Sequence, residues 1–204
     1  MVEQAPVWIE EIFPDQLAIK RYVDILVSRG IDWGLIGPRE PARIWTRHVI
    51  NSVSIAGLMA ANSRVCDVGS GAGLPGIPLA IARPDLQITL VESLLRRSEF
   101  LSLAVDELGL AERVTVVRSR AEDLKGSFDI VTARAVAALP KLVTWTTPLF
   151  MPDGELVALK GESAEDELAL AQPVLSPFGL TGEVLFIQAH AKAEPTYAIR
   201  VRSS

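Results

Sequence analysis

The 204-residue sequence holds one cysteine, Cys66, and two histidines, His48 and His190. A single thiol excludes a disulfide within the chain and suits a reducing compartment. Two histidines and one cysteine, far apart in sequence, make no zinc site, so no metal is expected. No apolar run reaches the length of a membrane span. The first residues, Met1-Val-Glu-Gln-Ala-Pro, carry neither the basic nor the apolar stretch of a signal peptide. The expected location is the cytoplasm, with no membrane partner. Excess positive charge is also missing: the net charge is −5, which argues against a general nucleic-acid binder. Fifteen of the 20 basic residues are nevertheless arginine, the side chain best suited to phosphates and base edges.

Residues 65–76 read Val-Cys-Asp-Val-Gly-Ser-Gly-Ala-Gly-Leu-Pro-Gly. A short apolar strand runs into Gly69, Gly71 and Gly73, where a missing Cβ permits sharp turning and close approach of a ligand. Leu74 to Ala82 reads as a helix whose first N–H groups would face the turn and favour an anionic group. Strand, glycine turn and helix hold a nucleotide-like cofactor at the carboxyl end of an α/β sheet. The glycines do not choose the cofactor, because Gly71, Gly73 and Gly76 also satisfy the dinucleotide pattern.

Residues 1–62 read as a helical cap and 63–204 as the cofactor-binding domain. In the cap, Pro14-Asp15 opens a helix with Leu17, Tyr22, Ile25 and Leu26 on its apolar face, ending near Gly30. After a loop at Gly37-Pro38 and Pro41, a second amphipathic helix carries Ile44, Trp45, Val49, Val53, Ala56 and Leu58. Strands are then expected at 64–68, 87–91, 113–117, 128–132 and 155–159, alternating with helices. Ser163-x-x-Asp166 resembles a capping box. The strand-like segments 180–189 and 196–201 are joined too closely for a parallel crossover and should be antiparallel. The expected fold is α/β and Rossmann-like: a mostly parallel seven-stranded sheet with a C-terminal antiparallel hairpin. That is the layout of class I methyltransferases that use S-adenosylmethionine.

Acid placement supports this cofactor over a dinucleotide. Asp67 precedes the first glycine and could pair with the amino group of a methionine moiety. Glu92 ends the second strand, where an acid accepts from ribose hydroxyls. Arg120-Ala121-Glu122 follows the third strand, within reach of an adenine edge.

Several segments together resemble one family. Arg43-Ile-Trp-x-Arg47-His48, Asp67-Val-Gly-Ser-Gly-Ala-Gly-Leu-Pro-Gly-Ile-Pro78, Glu92-Ser93-x-x-x-Arg97, Arg120-Ala-Glu122, Thr132-Ala-Arg134-Ala135 and Ala158-Leu-Lys160-Gly161 follow in order. They resemble the ribosomal RNA small-subunit methyltransferase G family, also called glucose-inhibited division protein B, over about residues 40–200. The resemblance implies methyl transfer from S-adenosylmethionine, leaving S-adenosylhomocysteine, to N7 of one guanosine in 16S ribosomal RNA. The substrate is expected within the 30S subunit, and the enzyme is expected to be a monomer. Candidate cofactor residues are Asp67, Gly69, Ser70, Gly71, Gly73, Leu74, Glu92, Ser93, Ala121, Glu122 and Arg134. Candidate RNA contacts are Arg43, Arg47, His48, Arg96, Arg97 and Lys160, with Arg134 and His48 positioning the reactants.

Guanine N7 carries a lone pair and no proton, and a sulfonium donor is already activated. No residue is therefore assigned as general acid or base, and the work is alignment. Trp33, Trp45 and Trp145 are candidates for stacking on a base or for core packing. Two other readings stay open: a class I methyltransferase acting on a small molecule or a protein, and a nucleotide-binding module without transferase activity.

Overall fold

Short valine- and isoleucine-rich runs become seven strands of one sheet in the computed structural model, which describes all 204 residues. The strands are β1 (Arg64–Val68), β2 (Gln87–Val91), β3 (Val114–Val117), β4 (Ile130–Arg134), β5 (Glu155–Lys160), β6 (Leu180–Ile187) and β7 (Thr196–Ser203). Their order is β3-β2-β1-β4-β5-β7-β6. β1 to β5 run parallel, whereas β7 is antiparallel to both β5 and β6. The expected sheet and terminal hairpin are therefore present. β1 is buried along Val65–Val68, because a central parallel strand is covered on both faces. Register pairs Val68 with Val91 and Val91 with Val117. Asp67 pairs with Thr132 and Arg134 with Leu159, which puts Arg134 at the same carboxyl edge.

The helices are α1 (Gln16–Ile25), the single turn α2 (Asn51–Val53), α3 (Gly76–Ala82), α4 (Leu95–Glu107), α5 (Leu139–Phe150) and α6 (Ala164–Leu175). Asp15 caps α1 by accepting from the Ala18 N–H at 2.8 Å. The buried face of α1 is Ile19, Tyr22, Val23 and Ile25. Leu17, expected on that face, is 83% exposed, because at 3.6 residues per turn it points away from Ile19 and Tyr22.

The second expected helix of the cap is not continuous. A 3-10 turn at Glu40–Arg43 leads into a π-helical stretch, Ile44–Ile50, then α2 and a further 3-10 turn at Ala56–Leu58. The i→i+5 spacing stacks residues five apart, and Ile44 with Val49 and Trp45 with Ile50 are buried. Glu3 Oε2 accepts from the Trp45 and Thr46 N–H groups at 2.7 and 3.1 Å, tying the chain's first residues to this stretch. Cap side chains share one cluster with those of α3, α4 and one face of the sheet, while α5 and α6 cover the other face.

Two elements start two residues later than expected. β4 lies two residues later than expected, because Asp129 is held outside it by the Arg64 N–H and guanidinium. α3 begins at Gly76 rather than Leu74, after a cis Leu74–Pro75 peptide. Ser163 does occupy the N-cap position of α6 but makes no side-chain cap. Acids in the first turn, Glu165, Asp166 and Glu167, complement the helix dipole there instead.

Candidate active site

Two cavities open at the carboxyl edge of the parallel strands. The first, about 630 Å³, lies across the ends of β1, β2, β3 and β4. Of the residues expected from sequence, Gly69, Glu92, Ser93, Arg97, Ala121 and Glu122 line it, joined by Lys141 and Trp145 of α5. The second, about 1070 Å³, is bounded by the π-helical stretch, the end of β4 and the end of β5. Arg43, Arg47, His48, Arg134 and Lys160 line it. Ala135 and Val136 line both cavities and form the wall between them. Ala135 sits at φ +56°, a left-handed conformation that is strained for a residue with a Cβ.

The glycine turn builds the first cavity, although of its glycines only Gly69 lines it. Gly69 and Ser70 donate their N–H groups to the Val91 carbonyl. Gly71 donates to Glu92 Oε2 at 3.2 Å. Gly73, at φ +95°, has Ile77 and the Tyr22 hydroxyl where a Cβ would stand. Tyr22 itself donates to the Ala72 carbonyl at 2.8 Å, so α1 braces the turn from below. Leu74 is buried. The helix start expected to receive an anion is already satisfied: Gly76 donates to Asp67 Oδ2 at 3.0 Å and Ile77 to the Gly73 carbonyl at 2.7 Å.

Asp67 is fully buried. Its Oδ1 has no hydrogen-bond partner, and burial pushes its pKa up to about 7 despite the Gly76 N–H, which favours the charged form. Its place is behind the turn, where it anchors the start of α3. Glu92, at the end of β2, is buried with Oε1 accepting from the Leu94 N–H at 3.0 Å and Oε2 from Gly71. A carboxylate oxygen has two lone pairs, so each keeps capacity toward the cavity.

Arg134 reaches from β4 into the cap. Its guanidinium donates to the Arg47 carbonyl (3.1 Å), the His48 carbonyl (3.3 Å), Asn51 Oδ1 (3.5 Å) and His48 Nδ1 (2.5 Å). A guanidinium only donates, so His48 Nδ1 accepts and the ring proton is on Nε2. That N–H donates to Glu40 Oε2 at 2.6 Å. Burial, chiefly, holds the His48 pKa below its usual value. Hydrogen bonds from Arg43 and His48 lower the Glu40 pKa to about 2.

Three expected RNA contacts are placed differently. Arg97 lines the first cavity and not the second, with its Nη1 3.8 Å from Glu92 Oε2. Arg96 leaves the basic face: its guanidinium covers the Trp33 ring at 5.6 Å and its Nη2 donates to the Asp32 carbonyl. Adjacent positions on a helix point about 100° apart, so Arg97 reaches the first cavity and Arg96 cannot. Lys160 is paired internally. Its ammonium donates to the Ala137 carbonyl at 3.0 Å and to Glu167 at 2.6 Å, and Glu167 also accepts from the Leu139 N–H. The pair thereby fixes the segment that follows the shared wall.

Among the tryptophans, Trp45 is core and Trp33 packs on Phe100. Trp145 faces the first cavity with the Lys141 ammonium 4.8 Å from its ring centroid. The only sequence signal for that pair is its i, i+4 spacing.

The glycine turn, Glu92, Ala121-Glu122, Arg134 and Lys160 thus surround two adjoining cavities, and they are the residues that carried the family resemblance. The family profile described as "GidB: rRNA small subunit methyltransferase G" matches residues 15–193. The chain belongs to this family. Ribosomal RNA small subunit methyltransferase G of Mycolicibacterium smegmatis is 51% identical over 174 residues, covering 82% of this chain and 73% of the relative. The Nocardioides member is 49% identical over 191 residues, covering 92% and 76%. Among solved structures, an O-methyltransferase from Thermotoga maritima aligns with a TM-score of 0.59 at 16% identity, covering 90% of this chain and 71% of that one. M. jannaschii TYW2, solved in complex with AdoMet, aligns at 0.55 and 17% identity, covering 72% and 70%. At such identities these two structures establish the fold alone, that of class I methyltransferases. This methyltransferase G family member has no helix long and apolar enough to cross a membrane and no group of side chains able to hold a metal ion.

Proposed function

We propose that the protein transfers a methyl group from S-adenosylmethionine to N7 of one guanosine in 16S ribosomal RNA, acting on the 30S subunit in the cytoplasm. The observation that carries the reading is the pair of cavities sharing the Ala135–Val136 wall. One is lined by acceptors suited to a nucleoside and the other by arginines suited to RNA. Family membership supports the same acceptor class.

The residues of the first cavity fit S-adenosylmethionine. Glu92, with Ser93 beside it, can accept from the ribose hydroxyls. Ala121 and Glu122 stand where an adenine edge would be read, and Gly69 leaves room for the donor to lie against backbone. Asp67 acts through the turn that it holds, not by touching the ligand. When bound, S-adenosylmethionine supplies a methyl group already activated on a sulfonium.

In the second cavity Arg43, Arg47 and Arg134 offer cationic donors to RNA, and the wall at Ala135–Val136 is where base and donor would meet. Guanine N7 has no proton to lose, so no base is required. His48 fits that chemistry: it is neutral and both ring nitrogens are engaged. The protein's work is alignment and exclusion of water.

The test is methyl transfer to 30S subunits from cells lacking this protein, followed by mapping of N7-methylguanosine. One modified guanosine in 16S RNA is expected. Label found only in protein or small-molecule fractions would move the reading to a class I methyltransferase with another acceptor.

A further inference from the structure

Three donors from one short segment converge on a single carboxylate. Arg43 Nη2 lies 2.8 Å from Glu40 Oε1, His48 Nε2 lies 2.6 Å from Oε2, and Arg47 Nε lies 3.6 Å from Oε2. The direction of the His48 donor is not accidental. Arg134 occupies Nδ1 from the opposite side, so the ring must present Nε2–H toward Glu40. The arrangement is that of an anion site: two guanidinium groups and one neutral N–H aimed at a common position, which the chain fills with its own acid.

Carboxylate and phosphate oxygens accept the same charge-assisted bonds from arginine. Arg43 and Arg47 are 48% and 59% exposed and line the second cavity. Glu40 and His48 lie deeper, at 17% and 11% exposed, so the arginine ends of the network are open to an incoming phosphate while the carboxylate is still in place. We propose that Arg43, Arg47 and His48 form a site for a backbone phosphate of RNA, which Glu40 occupies in the free protein and which RNA claims by displacing the carboxylate. This rests on the reading that the second cavity receives RNA.

The occupied site has a physical consequence for an acidic protein. Held near pKa 2, Glu40 stays charged at working pH and cannot leave by protonation. It must be pushed aside by a phosphate that other contacts deliver. Its carboxylate therefore lowers the attraction of the patch for polyanions in general.

Glu40→Gln keeps the shape and the hydrogen-bonding oxygen but removes the charge. Binding of the full-length protein to unmethylated 30S subunits and to an unrelated RNA duplex is measured over a salt series. Glu40→Gln is expected to bind both at least about threefold more tightly and with a steeper salt dependence, because anions held by the unmasked arginines are released. Adding Arg47→Ala should remove the gain. Unchanged or weaker binding by Glu40→Gln, or a gain that survives Arg47→Ala, overturns the proposal. A second readout needs no variant at Glu40. The ¹⁵N resonance of His48 Nε2 in the wild-type protein should shift when RNA saturates it, and a resonance that stays in place also overturns the proposal. Failure of the wild-type protein to bind 30S subunits at all is a different result and refutes the RNA reading itself.

Discussion

The Val136 side chain fills the space that a Cβ on Gly69 would need, with Cγ2 2.7 Å from that position. Gly69 also sits at φ +68°. An alanine there meets two penalties, a left-handed backbone at about 1–2 kcal/mol and overpacking at about 1–3 kcal/mol. Gly69→Ala is expected to weaken binding of S-adenosylhomocysteine at least about fivefold, taking even one of these penalties as fully felt on binding. Val136→Ala should restore part of the loss in the double variant by emptying the contested space. Calorimetric titration of all three proteins checks this, and a double variant no better than Gly69→Ala would mean that Val136 is not the obstacle.

Arg134 holds four acceptors across β4 and the cap with one planar group. A lysine ammonium cannot span them. Both Arg134→Ala and Arg134→Lys are expected to fold yet to lose methyl transfer at least about tenfold, since one charge-assisted hydrogen bond is worth roughly 1.5–3 kcal/mol. Single-turnover assays on 30S subunits at saturating donor decide it. Wild-type rates in both variants would remove Arg134 from the site.

Trp145 is the aromatic side chain that faces the first cavity, and Lys141 steadies its ring. If adenine lies against that ring, Trp145→Ala should weaken S-adenosylhomocysteine binding by about fivefold or more, given a stacking worth of roughly 1–3 kcal/mol. Trp145→Phe should retain most of the affinity. Ligand-induced quenching of tryptophan fluorescence should disappear in the Phe variant. Persistent quenching there would assign the signal to another tryptophan.

Asp67 has a raised pKa in the folded protein, about 7 against an ordinary 3.8. The folded state therefore keeps a proton that the unfolded chain gives up in that interval. The contribution of Asp67 to stability is fully present below about pH 4 and is lost as pH rises through about 7. Asp67→Asn cannot ionise, so its stability relative to wild type should rise across that window, by about 2–4 kcal/mol. Acids with lowered pKa, such as Glu40, act in the opposite sense, but they are common to both proteins and cancel in the difference. Urea denaturation at several pH values measures it. Parallel pH profiles for the two proteins would show that Asp67 is not the group responsible.

Much of this architecture was readable in the sequence because parallel strands are buried on both faces and leave unbroken apolar runs such as Val65–Val68 and Ile88–Val91. The glycine turn was readable because Gly69 and Gly73 leave space that close neighbours fill. The cap was read less well. Ile44, Trp45, Val49 and Ile50 fit an α-helical face almost as well as the π-helical one they adopt, and nothing local separates the two. Asp67, a charge at an apolar strand end, needs a partner, and a backbone N–H nine residues on supplies one that no spacing in the sequence announces. The roles of Glu40, Lys160 and Trp145 depend on what tertiary packing brings beside them. No spacing in the sequence announces that Lys160 will spend its charge on Glu167, or that Arg96 will turn to Trp33 while Arg97 does not.

β7 follows β6 in the chain but lies inside it in the sheet, and β6 touches the rest of the sheet only through β7. A chain interrupted between Ile187 and Thr196 therefore forfeits two strands, not one. β6 would be stranded with its Phe186 beside no Tyr197, and β5 would become a raw edge open to pairing with other chains. Nonsense or frameshift lesions just after β6 should accordingly produce aggregated protein in place of a slightly shortened enzyme.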